Sequence, residues 1–117
     1  MWMSCTTGNF RYEDGDDDCF AEHFMRTENG CVAIIAASET SYSFVNDTYV
    51  WGVYDYLWND FMPDYGKNNT NFKYPAFANS YGKYFLKQSS WPEFEFNKNV
   101  TYNLFHYFGD AFLQLNT

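Results

Sequence analysis

A chain of 117 residues holds one small domain or one part of a larger one. Seven Lys and Arg stand against 15 Asp and Glu, and the net charge of −8 excludes a phosphate-backbone binder and a polybasic membrane anchor. At 46% apolar and 24% aromatic, the chain carries far too much hydrophobic side chain for a disordered acidic tail, so it packs a core.

Trp2-Met3-Ser4-Cys5 reads as a buried strand, broken by the loop Thr6-Thr7-Gly8-Asn9. The acidic run from Glu13 to Asp18 lacks the spacing of an EF-hand loop. It reads as a solvated insertion whose last carboxylates favour the next helix, with calcium binding as the alternative. Phe20, Ala21, Phe24 and Met25 then recur at helical spacing. Asp17 or Asp18 is placed to cap that helix, and Asn29-Gly30 to stop it. Cys31 to Ala37 is apolar on both faces, as a central strand of a parallel sheet is. Strand, helix and strand of these lengths predict a right-handed βαβ crossover. Two parallel strands leave both edges bare, so further strands are expected to precede Met1.

Ser38 to Val45 is a loop of small and polar residues, after which Asn46 is placed to cap a long helix. The stripe of that helix is Val50, Val53, Tyr54, Leu57, Trp58 and Phe61, and Pro63 follows its end. Asp64 to Tyr74 reads as a surface loop. Pro75 opens a second helix carrying Phe77, Tyr81, Tyr84 and Phe85, opposed by Gly82 at about 1 kcal/mol. Ser89-Ser90-Trp91-Pro92 breaks the chain again. A last helix is expected through Val100, Leu104, Phe105 and Phe108, closed by Gly109, before an extended tail at Phe112 to Leu115. No apolar run approaches the ~18 residues of a membrane span. Nor does the start, Met1-Trp2-Met3-Ser4-Cys5, have the basic and apolar regions of a signal peptide.

Catalytic groups of parallel α/β sheets gather at the carboxyl ends of the strands, where Cys5 falls. A thiol there suits nucleophilic attack once a base or a helix terminus lowers its pKa. A small buried packing residue is the other reading of the same position. Cys19 opens a helix and Cys31 starts a strand, so both read as structural. Three cysteines, no Cys-x-x-Cys pair and only His23 and His106 argue against a disulfide framework and a zinc site, and no metal or cofactor is expected. As a general base, either His would have to reach the thiol. His23 reads instead as a surface residue, and His106 as a structural residue among aromatics.

The stretch Ser4-Cys5-Thr6-Thr7-Gly8-Asn9-Phe10 resembles the Cys-x-x-Gly-(Asp/Asn)-Phe loop of gingipain-type cysteine peptidases. Further matches follow in order: Asp18-Cys19-Phe20-Ala21-Glu22 with Met25-Arg26, then Gly30 to Ala36, Ser41-Tyr42, Asn46-Asp47, and Phe108-Gly109-Asp110 with Leu113. The resemblance implies a three-layer, caspase-like α/β fold with a mostly parallel sheet, of which residues 1–117 are the C-terminal part. It also implies peptide-bond hydrolysis through a thioester on Cys5, a peptide or protein substrate, and secretion from or display on a bacterium. Ser41 and Tyr42 match a segment that walls the specificity pocket in that family, with Asp47 or Glu39 as nearby charges. The family's catalytic His comes from a His-Gly loop before the Cys strand. Only four residues precede Cys5, so that His is expected in an upstream segment, and the isolated chain is expected to be inactive. From another class comes the alternative of a non-catalytic binding domain, with a tyrosine-rich acidic surface and a merely packed Cys5.

Overall fold

The computed structural model describes residues 5–11, 18–58, 61 and 73–116. The expected strand up to Ser4, the acidic run up to Asp17, Pro63 and the 64–72 part of the expected loop lie outside these residues. The elements are α1 (Phe20–Arg26), β1 (Ala33–Ala37), α2 (Ser43–Leu57), α3 (Pro75–Gln88), α4 (Glu95–Leu104) and β2 (Phe105–Gly109).

The cap of α1 is Cys19, not Asp17 or Asp18. Glu22 reaches back to the Cys19 backbone N–H at 3.2 Å and closes the first turn. Asp18 is thereby left to pair with Arg26, at the far end of the helix. Asn29, with φ of 62°, takes the left-handed conformation expected of Gly30.

The sheet among the described residues is the antiparallel pair β1–β2, and the strand expected to lie parallel to β1 falls outside those residues. Ala33 lies opposite Gly109, Ala36 opposite His106 and Ala37 opposite Phe105. The expected last helix therefore ends at Leu104, and Phe105 to Gly109 is a strand. Phe105 and Tyr107 join one apolar cluster and Phe108 the other, a period of two that serves a strand. Ile35, Ala37, Phe105 and Tyr107 join the core formed with α2, α3 and α4. Ile34, Ala36 and Phe108 pack with Ala21 of α1. Helices thus lie on both faces of a small sheet, in a mixed α/β arrangement.

Packing of α2 on α3 supplies most of the core. Pro75 occupies the first turn of α3, where its missing N–H costs nothing. A Cβ on Gly82 would come within 2.6 Å of Val53 and 2.8 Å of the Tyr49 carbonyl oxygen, so the two backbones meet closely there. Gly52 lies in the same seam, and its own Cβ would stand 2.9 Å from the Gly82 Cα. That seam buries Val50, Val53 and Leu57 but leaves Trp58 and Phe61, the end of the expected stripe, exposed. On α3 the buried residues are Ala78, Gly82, Phe85 and Leu86, whereas Phe77 and Tyr84 face solvent. Leu115 donates its N–H to the Lys73 carbonyl at 2.8 Å, which ties down the extended tail.

Candidate active site

The carboxyl end of β1 positions the site. Its four residues from Ile34 to Ala37 are buried, and the chain then leaves through Ser38 to Tyr42, the N-cap of α2. The Cys5–Gly8 turn is fastened onto this exit. Gly8 N–H donates to the Ala37 carbonyl at 2.8 Å, and Thr6 N–H to the Glu39 carbonyl at 3.3 Å. A Cβ on Gly8 would stand 2.9 Å from the Ala36 Cβ and 3.1 Å from the Phe108 ring, so only glycine lets the turn lie this close to the strand. Thr7 C=O accepts from Ala21 N–H at 2.9 Å and links the turn to α1. Phe10 sets its edge against His106 and Phe108, and Arg11 pairs with Glu39.

Thr6 holds a φ of 60°, a left-handed conformation that costs a β-branched residue about 1–3 kcal/mol. The surrounding hydrogen bonds over-determine it. Thr6 Oγ1 donates to the Cys5 carbonyl at 2.7 Å, and the Thr6 carbonyl accepts from Asn9 N–H at 3.1 Å.

That turn presents the Cys5 thiol to solvent, against Ser41. Ser41 N–H donates to Cys5 Sγ at 3.4 Å, and the Ser41 hydroxyl oxygen lies 3.6 Å from the same sulfur. The thiol can in turn donate to the Ser41 carbonyl at 3.6 Å. Hydrogen bonds from the Ser41 backbone and then its side chain hold the Cys5 pKa below the ordinary thiol value. Burial instead pushes the Cys19 thiol up, and Cys19 and Cys31 pack against Ala21, Ile34 and Ala36.

The structure thus brings Cys5 and Ser41 together. Tyr42 is half-buried, packed against the main core and tilted on Phe44 with ring centres 6.2 Å apart. Asp47 is exposed on α2. His23 is exposed on α1, and His106 stands on β2 with Nε2 3.2 Å from Ser38 Oγ. The described hydrogen bonds of the Cys5 sulfur go to Ser41 and to neither histidine.

Two residues beside the thiol, Thr6 and Asn46, carry no sequence signal for that place. Thr6 gives no local signal, because its conformation is imposed by contacts to Glu39 and Asn9. Asn46 reads as a cap, yet α2 begins at Ser43 and Asn46 is buried within it, donating from Nδ2 to Ser41 Oγ at 2.8 Å. A cavity of about 260 Å³ opens at the other end of β1, lined by Val32, Ala33, Leu57 and Trp58 among others. Cys5 does not line it, and its own side chain is exposed. Among the described residues, no group of three His, Cys, Asp or Glu side chains gathers to hold a metal ion. Among them too, no helix is long and apolar enough to cross a membrane.

A family model described as peptidase family C25 matches residues 1–116. The chain belongs to peptidase family C25. This is the gingipain family of cysteine peptidases, whose substrates are proteins. Neither the curated proteins nor the solved structures yielded a match. Within the C25 match fall the Cys5 turn, β1, the Ser38–Tyr42 exit and β2.

Proposed function

We propose that Cys5 is the nucleophile of a C25 peptidase domain that hydrolyses peptide bonds through a thioester. One observation carries this reading: the Cys5 thiol is exposed at the carboxyl end of β1 and held by hydrogen bonds from Ser41 that favour its thiolate. The sulfur attacks the substrate carbonyl, and the Cys5 backbone N–H is one donor to the oxyanion that forms. Protonation of the departing amine needs a general acid. His23 and His106 have other surroundings, so a histidine from a segment beyond these 117 residues supplies it. Cys5 is exposed, so such a segment can reach its sulfur. On this reading the 117 residues are the C-terminal part of a three-layer, caspase-like domain, secreted or displayed on a bacterial surface. Ser41 and Tyr42 wall the pocket for the residue before the scissile bond, with Asp47 or Glu39 as the charge beside it.

Two steps test the proposal. Alkylation of the folded chain, read by mass spectrometry of its peptides, should modify Cys5 well before Cys19, and equal labelling of both would count against it. Peptidase assays should then show no hydrolysis by the 117-residue chain alone. Activity is expected when the upstream part of the domain is supplied, and its loss when Cys5→Ala is introduced. Hydrolysis that survives Cys5→Ala would end the reading.

A further inference from the structure

Asn46 is 3% exposed, a polar amide in the opening turns of α2, a helix that also buries the polar side chains of Thr48 and Asp55. Its Oδ1 is buried without a hydrogen-bond partner, as is Thr48 Oγ1 on the same helix, so what sets Asn46 apart is the group that its amide nitrogen reaches. Its Nδ2 donates to Ser41 Oγ at 2.8 Å. A serine hydroxyl has one proton to give and lone pairs to receive, so an amide donor on the oxygen leaves the proton for another acceptor. The Cys5 sulfur lies 3.6 Å from that oxygen and already takes the Ser41 N–H at 3.4 Å.

We propose that Asn46 is a positioning residue of the Cys5 site. By donating to Ser41 Oγ, it turns the Ser41 hydroxyl into a donor toward the Cys5 thiolate. Two donors from one residue then face the sulfur, and the second keeps its direction only while Asn46 holds the oxygen. This deepens the reading of Cys5 as nucleophile and rests on it. Among the described residues, the charged groups on the segments around the thiol are Arg11 and Glu39, which pair with each other, and Asp47, exposed on α2. His106 on β2 engages Ser38.

The test is the rate of iodoacetamide alkylation at Cys5 in the whole chain, followed across about pH 6 to 9. Asn46→Asp replaces the donor by a carboxylate that accepts, which draws the Ser41 proton away from the sulfur. The alkylation midpoint should move up and the rate at neutral pH fall about three- to tenfold. Ser41→Ala should shift it in the same direction, and Ser41→Thr, which keeps a hydroxyl, should restore the profile. The double variant separates the relay from a bare charge. If Asn46 acts through Ser41, Asn46→Asp should add little once Ser41→Ala is present. An equal shift in both backgrounds would overturn the proposal, as would a Ser41→Ala profile that superimposes on the parent. Slow labelling of Cys19 reports that each variant is folded. Should Asn46→Asp fail to fold, Asn46→Leu, which removes the donor at similar volume, replaces it in both backgrounds, and an unmoved profile would overturn the proposal.

Peptidase assays separate the two claims. Cys5-dependent hydrolysis with unmoved alkylation profiles removes the role of Asn46 and leaves the nucleophile. Shifted profiles in a domain that hydrolyses nothing, even with its upstream part, leave Asn46 in place and remove the peptidase reading.

Discussion

His106 shows how one residue's surroundings set its response to pH. Burial first, and then the charge of Lys83, push its pKa below the ordinary value of 6.5. The folded state thus binds fewer protons at this ring than the unfolded state does. Stability therefore falls as pH drops below about 6.5 and continues to fall until the folded ring itself protonates. His106→Gln keeps a donor near Ser38 and removes the titration. Urea unfolding at a series of pH values should show a shallower acid-side slope for this variant, and parallel slopes would refute the assignment. Cys5 was open to inspection in the sequence because a Cys-x-x-Gly turn is a local pattern. Asn46 was not, because its bond to Ser41 depends on where α2 begins.

At the level of elements, Gly82 reverses its usual meaning. Helix propensity alone says that Ala should stabilise α3 by about 1 kcal/mol. The Tyr49 carbonyl at 2.8 Å from the missing Cβ is backbone and cannot rotate away. Gly82→Ala should therefore force α2 and α3 apart and destabilise by about 1–3 kcal/mol net. Thermal unfolding of the variant tests this, and a raised midpoint would mean that the seam is looser than described. The same lesson applies to β2. Phe105 and Phe108 fit a helical spacing after Leu104 as well as they fit a strand. What selects the strand is pairing with β1, such as Ala36 with His106, across a long stretch of chain. No window along the sequence contains both partners.

For the whole molecule, charge and exposed aromatics oppose each other. Phe94, Phe96, Phe112 and Trp91 are each more than half exposed, while a net charge of −8 opposes the approach of two copies at neutral pH. Lowering the pH toward the isoelectric point near 4.4 removes that repulsion. Light scattering should show self-association growing as pH falls toward that point, and growing with added salt at neutral pH through screening. A monomer under all these conditions would show that the aromatic surface is not adhesive.

Composition and periodicity by themselves determined that this chain buries a core, that α1, α2 and α3 are helices, and that residues 33–37 form a buried strand. Those features are legible because helical spacing and strand hydrophobicity are written over a few consecutive residues. Its Cys-Gly turn and ordered short motifs also pointed to the peptidase family that the match over residues 1–116 shows. Tertiary structure alone decided the antiparallel partner of β1, the glycine seam between α2 and α3, and the Asn46–Ser41–Cys5 chain of contacts. Each of these joins groups from different elements. Their geometry exists only once the chain has closed on itself and excluded the water that would otherwise satisfy the same polar groups.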